Sequence, residues 1–244
     1  MQFRFLGCGD AFGSGGRFNT CFLVEHEAGA FLIDCGASSL VAMRRFGVDP
    51  NRVGQVFVSH LHGDHFGGLV FLLLDAQHIS RRQAPLAIAG PVGLEVRLTA
   101  AREALFPGSS QRPLRFELRY HELAIGRRDE VEGVAVTPFA ADHSSGAPSL
   151  TLRLEAAGRV ITYSGDTAWT PPLVEAARGA DLFVCEASFR GRKVTGHMDV
   201  DELLPRLAEI GARRVYLTHM GDEVLAEPAP AGTFKAEDGL VVAL

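Results

Sequence analysis

Residues Ser59 to Gly68 read SHLHGDHFGG, and they follow the apolar run Val56-Phe57-Val58. Within them His60, His62, Asp64 and His65 crowd four metal-binding side chains into a short strand-to-loop passage. No hydrophobic core calls for that pattern. Chemistry at such a segment needs further ligands, and loops leaving strands are the parts of a scaffold most able to present them. Imidazoles with a carboxylate suit borderline divalent ions such as Zn²⁺, and alternate residues of an extended segment point the same way. His60 and His62 can therefore grip one ion, while Asp64 and His65, beyond the turn at Gly63, face a neighbouring one.

Other ligand types stand after strand-like runs. His143 follows the run ending at Phe139-Ala140, Asp166 lies in Tyr163-Ser164-Gly165-Asp166-Thr167, and His219 closes Val215-Tyr216-Leu217-Thr218. Asp34, ending Phe31-Leu32-Ile33, reads either as an acceptor for a ligand histidine or as an ordinary turn carboxylate. The remaining histidines His26 and His121 read as solvated surface, and His78 as a partner for a helix C-terminus.

The chain has 244 residues, 47% of them hydrophobic and 22% charged, enough for a sizeable core and unlike a disordered composition. Its formal charge of −5 argues against a general polyanion-binding surface. The N-terminus lacks the pattern of a signal peptide, and no apolar stretch approaches the roughly 20 residues of a membrane span. Cys8, Cys21, Cys35 and Cys185 are scattered and suggest neither a disulfide framework nor a zinc ribbon. A cytoplasmic setting is the expectation.

Strands are expected at Gln2 to Leu6, Cys21 to Glu25, Phe31 to Asp34, Val56 to Val58, Pro85 to Ala89, Leu114 to Leu118, Val134 to Phe139, Ser149 to Leu154, Arg159 to Tyr163, Asp181 to Cys185 and Arg214 to Leu217. Helical spacing marks Ser38 to Phe46, Gly67 to Ile79, Val92 to Phe106, a piece from Leu173, and Val200 to Ile210. The glycine-dense loop Gly7 to Gly16 lacks the GxGxxG order and reads as a turn or a weak phosphate cradle. Phe12, Phe18 and Trp169 read as pocket lining or core. No linker divides the chain, so one α/β domain over residues 1–244 is expected: two mixed sheets packed face to face with helices outside, an αββα sandwich.

The ordered motifs resemble those of metallo-β-lactamase superfamily hydrolases, closest to the ribonuclease Z and phosphodiesterase branch. They are SHLHGDHFGGL, His143, SGDT around Asp166, Glu186-Ala187-Ser188-Phe189 with His197 downstream, and LTHM around His219. The opening FLGCGDAF, FLIDCG, the AGP at 89 to 91 and the terminal AEDGLVVAL extend the similarity over nearly the whole chain. The resemblance implies two divalent ions, usually zinc and sometimes manganese or iron, joined by a water or hydroxide. His60, His62 and His143 would bind the first, Asp64, His65 and His219 the second, and Asp166 would bridge them. Asp64 would also take part in catalysis, and His197, oriented by Glu186, would give a hydrogen bond or proton to the phosphate or leaving group.

One departure redirects the expectation. Ribonuclease Z enzymes carry a basic, glycine-rich tRNA-binding arm between the third ligand histidine and the bridging aspartate. Here only Ser144 to Gly165 separates the two, and two strands with their turn fill it. The expected substrate is thus a small phosphodiester such as a cyclic phosphate, with nucleic acid and tRNA 3′-processing disfavoured on this pattern. A lactone or thioester hydrolase, an iron-dependent oxidoreductase and a non-catalytic metal scaffold stand as alternatives. Whether the chain forms a homodimer is left open.

Overall fold

The computed structural model describes residues 1–244. It contains fourteen strands: β1 (Gln2–Gly7), β2 (Cys21–His26), β3 (Gly29–Ile33), β4 (Val53–Phe57), β5 (Leu86–Gly90), β6 (Leu118–Glu122), β7 (Asp129–Val131), β8 (Val134–Ala140), β9 (Leu150–Ala156), β10 (Arg159–Tyr163), β11 (Leu182–Glu186), β12 (Val215–Thr218), β13 (Phe234–Lys235) and β14 (Val241–Ala243). The eight α-helices are α1 (Ser39–Arg45), α2 (Gly63–Phe66), α3 (Gly68–His78), α4 (Leu94–Leu105), α5 (Pro172–Ala177), α6 (Val200–Leu203), α7 (Leu207–Ile210) and α8 (Asp222–Ala226). None is long and apolar enough to cross a membrane.

The strands form two seven-stranded sheets, ordered β14-β1-β2-β3-β4-β5-β6 and β13-β12-β11-β10-β9-β8-β7. Side-chain alternation explains why they stack. On β2, Phe22 and Val24 join the core between the sheets, whereas Cys21 and Leu23 join a second core beneath the helices. On β3 the division repeats, with Phe31 and Ile33 facing inward and Ala30 and Leu32 outward. The inter-sheet core unites Phe3, Phe5, Phe22 and Phe57 of the first sheet with Leu152, Tyr163 and Val184 of the second. Ala42, Leu69 and Leu98, from α1, α3 and α4, cover the outer face of the first sheet. Leu173, Leu203 and Ile210, from α5, α6 and α7, cover that of the second. Three cores sandwiched by four layers constitute the expected αββα architecture.

Several local expectations change. The strand expected over Leu114 to Leu118 begins at Leu118 and runs to Glu122, because its register follows parallel pairing with β5, from Leu86↔Leu118 to Gly90↔Glu122. The helix expected over Val200 to Ile210 is broken at Pro205: a 3₁₀ turn, Leu204–Arg206, separates α6 from α7. The short strands β7, β13 and β14 have no counterpart among the expected ones. Of these β14 pairs antiparallel with β1, returning the C-terminus to the first strand. All four cysteines are buried and free, and burial pushes the Cys35 thiol up to about 12.

Candidate metal centre

Asp34, the histidine-rich segment, His143, Asp166, Glu186 and His219 all sit at or just past the C-terminal ends of strands, at one end of the two sheets. Main-chain bonds tie the strand ends together there: Leu150 N donates to Ser59 O, and His219 N to Cys8 O, both at 3.0 Å. The histidine-rich loop also lies against the turn after β3. Cys35 N donates to His65 O at 2.6 Å and Gly68 N to Cys35 O at 2.8 Å. A Cβ on Gly36 would fall 2.0 Å from the Asp64 carbonyl oxygen, so glycine is required by this approach. Asp34 and His219 both occupy the left-handed region, with φ of 56° and 55°. Such strain in non-glycine residues persists only where surrounding contacts over-determine the conformation.

Three overlapping groups of potential ligand atoms result: His60 with His62 and His143, Asp64 with His65, Asp166 and His219, and Asp166 with Glu186, His197 and His219. Asp166 stands between the first two. Its Oδ2 lies 3.8 Å from His60 Nε2, 3.9 Å from His143 Nε2 and 3.4 Å from His219 Nε2, and its Oδ1 lies 3.3 Å from His65 Nε2. Asp64 Oδ2 is 3.2 Å from both His65 Nε2 and His219 Nε2.

The opposite side of each ring fixes the tautomer. His65 Nδ1 lies 2.7 Å from Asp34 Oδ2, His60 Nδ1 3.1 Å from Ser59 Oγ, His143 Nδ1 2.8 Å from the Gly196 carbonyl, and His219 Nδ1 3.0 Å from Ser188 Oγ. Ser59 Oγ in turn donates to Asp34 Oδ2 at 2.7 Å. Each Nδ1–H is therefore engaged, which directs four Nε2 atoms toward Asp166. Metal-ligating histidines are held in this way, with the non-ligating nitrogen donating to a carboxylate, carbonyl or hydroxyl.

The donor set fits metal on a structural test. His60 Nε2, His65 Nε2 and Asp166 Oδ1 are buried without any hydrogen-bond partner, a costly condition that bound cations would relieve. His143 Nε2 and His62 Nδ1 approach to 3.0 Å; with His143 Nδ1–H given to Gly196, its Nε2 lone pair is available either to a donor on His62 or to a cation. Burial opposes charge on His219, but the Asp166 charge and the Asp64 hydrogen bond outweigh it and lift its pKa to about 9. The same balance raises His65, whereas burial holds His60 well below its ordinary range. Burial would raise the Asp166 carboxyl, yet the facing His219 and His65 charges hold it well below the usual carboxylate range.

Beside the cluster His197 Nδ1 contacts Glu186 Oε1 at 2.5 Å. Glu186 is fully buried and also accepts from Thr167 N at 2.5 Å and Ser188 Oγ at 2.6 Å. His197 lines a cleft of about 480 Å³ with Phe12, Ser188, Arg192 and His219. Phe12, 89% exposed, stands at this cleft, while Phe18 packs on Phe46 and Trp169 lies under Arg206, so these two aromatics lie outside it. In the glycine loop the Phe12 and Ser14 amides donate to Asp10 Oδ1 and the Gly16 amide to Gly13 O, which fixes the turn. His26 and His121 are half-buried rather than fully solvated, and His78 is exposed in the last turn of α3. Sequence reasoning missed Ser59, Ser188 and the Gly196 carbonyl. Spacing could have found Ser188, two residues beyond Glu186, but a backbone carbonyl carries no residue signal.

Fold and site together define a metal-dependent hydrolase of the metallo-β-lactamase superfamily, of ribonuclease Z type. Within that class the chain belongs to the family described as Anti-Pycsar protein Apyc1, whose model matches residues 1–236. It is 26% identical to ribonuclease Z of Methanosarcina acetivorans, covering 100% of this chain and 95% of the relative. That alignment spans 299 positions against a chain of 244 residues, so the relative carries insertions absent here. Human tRNase Z, short form, superposes with a TM-score of 0.81 at 26% identity, covering 100% of this chain and 99% of that one. A diphosphatase of the PhnP family shares the fold at a TM-score of 0.78 and 18% identity, covering 100% and 97% of the two chains.

Proposed function

We propose that the chain hydrolyses small phosphodiesters, a cyclic phosphate foremost, with two divalent ions. His60, His62 and His143 would hold one ion, Asp64, His65 and His219 the other, and Asp166 both; zinc suits this donor set, with manganese or iron as substitutes. Such ions lower the pKa of a shared water into the neutral range and draw charge from a phosphoryl oxygen. The protein's own contribution is orientation and a proton. Burial opposes charge on His197, but the Glu186 hydrogen bond and charge outweigh it and raise its pKa, so the imidazolium can give Nδ1–H to Glu186 and hold a second proton on Nε2 for the departing oxygen. Asp64, in contact with His65 and His219, would add a carboxylate at the second position.

The observation that carries the small-substrate reading is the stretch between His143 and Asp166. It is occupied by β9 and β10, an antiparallel pair from Tyr163↔Leu152 to Arg159↔Ala156, and holds no arm for a polynucleotide. The cleft adds to this. Asp10, Asp222 and Glu223 line it against Arg192, whose guanidinium is already 3.2 Å from Glu223. Nucleic-acid affinity rests on Lys and Arg contacts to phosphates, which such a rim withholds.

The full-length similarity to ribonuclease Z favours a second reading, an RNA phosphodiester. Assay of cyclic nucleotides, bis(p-nitrophenyl) phosphate, a lactone and a precursor tRNA, each with zinc and with manganese, separates the possibilities. Turnover of small phosphodiesters well above that of the others is expected. Preferential cleavage of the tRNA would establish the second reading, and preferential opening of the lactone would overturn both.

A further inference from the structure

Ser188 is 6% exposed and lies between two functional groups. Its Oγ is 2.6 Å from Glu186 Oε1, 3.0 Å from His219 Nδ1 and 2.9 Å from His219 O. A hydroxyl has one proton to give, and the charged carboxylate at the shortest distance takes it. The lone pairs of Oγ then accept Nδ1–H of His219. A continuous chain follows: His219 Nδ1–H to Ser188 Oγ, Ser188 Oγ–H to Glu186 Oε1, with His197 Nδ1–H donating to the same carboxylate oxygen from the other side.

The same design recurs across the site. His60 Nδ1 meets Ser59 Oγ, Ser59 Oγ donates to Asp34 Oδ2, and His65 Nδ1 meets that oxygen from the far side. Each sheet thus supplies one buried serine and one buried carboxylate that orient two imidazoles. In the second sheet His219 is read as a ligand beside Asp64, His65 and Asp166, whereas His197 joins only the group with Asp166, Glu186 and His219 and lines the cleft.

We infer that Ser188 is a positioning residue that fixes the His219 tautomer and, through Glu186, sets the His197 ring in register with the metal position that His219 serves. The inference rests on the reading of His219 as a metal ligand. Without the hydroxyl, His219 loses its Nδ1 acceptor and can place its proton on Nε2, where it blocks ligation. Glu186 at the same time loses one of the donors that hold its rotamer.

The test uses the full chain loaded with zinc, with Ser188→Ala and Ser188→Thr. Competition with a chromophoric chelator reads the affinity of each zinc equivalent, and ¹H–¹⁵N NMR of the imidazoles reads the His219 tautomer. Loss of such a ligand-orienting bond lowers metal affinity by roughly 10–100-fold. Ser188→Ala is expected to weaken one equivalent by about that factor, spare the other and remove the Nδ1–H signal, while Ser188→Thr, which keeps Oγ, recovers most of the affinity. Should Ser188→Ala fail to fold, Ser188→Cys, similar in volume but a poor acceptor, is expected to show the same selective loss. Unchanged affinity, equal weakening of both equivalents, or a threonine variant as weak as alanine overturns the inference. His219→Ala serves as the control: if it binds two equivalents normally, it is the ligand reading that fails.

Discussion

Asp34 Oδ2 lies 2.7 Å from His65 Nδ1, and both side chains are wholly excluded from solvent. The same carboxylate accepts from Ser59 N and Ser59 Oγ, each at 2.7 Å. It therefore couples the strand end from which the ligands depart to the tautomer of one of them. Asp34→Asn preserves volume but puts a donor where His65 needs an acceptor. Zinc affinity at the position served by His65 is expected to fall by roughly 10–100-fold, read by chelator competition; wild-type affinity would remove Asp34 from this role.

His197 is committed to Glu186 through Nδ1 and lies outside the two groups proposed to hold the ions, sharing only the third group with Asp166, Glu186 and His219. His197→Ala should retain two zinc equivalents by elemental analysis while kcat for a phosphodiester falls about 10²–10⁴-fold, the range supplied by a positioned proton donor. An unchanged kcat would exclude the imidazole from the reaction.

Protonation of the metal-free cluster carries a pH signature. The His219 pKa is raised to about 9 from its ordinary 6.5, burial being outweighed by Asp166 and Asp64. The stability this adds is fully present below pH 6.5 and lost as pH rises through 9. Zinc binding has the opposite dependence, since ligation requires deprotonated imidazole. In chelator the melting temperature should therefore drop between pH 6.5 and 9, while the stabilisation gained on adding zinc should grow; a flat profile in chelator would contradict the assignment.

The site was legible in the sequence to the extent that its chemistry resides in side chains after strand-like runs. His60, His62, Asp64, His65, His143, Asp166 and His219 announce themselves by residue type, and the structure brings all seven together. Asp34 was legible as one of two alternatives, and its contact with His65 selects between them. Tertiary pairing hid other features: β6 starts where β5 offers partners, and β14 is a three-residue strand whose partner, β1, lies at the opposite end of the chain. The kink at Pro205 was visible as a proline, but helical spacing on both sides of it concealed the break. Ser59 and Ser188 look like ordinary serines until the fold sets each between an imidazole and a carboxylate.

The central claim is that the cluster around Asp166 is a two-ion centre for phosphodiester hydrolysis. Titrating metal-stripped protein with zinc or manganese while following bis(p-nitrophenyl) phosphate hydrolysis tests it most directly, with Asp166→Ala in parallel. Activity should reach its plateau at two equivalents per wild-type chain, and Asp166→Ala should lose at least one equivalent together with all turnover. A plateau at one equivalent, a fully metallated and active Asp166→Ala, or no phosphodiester turnover with either metal would contradict it.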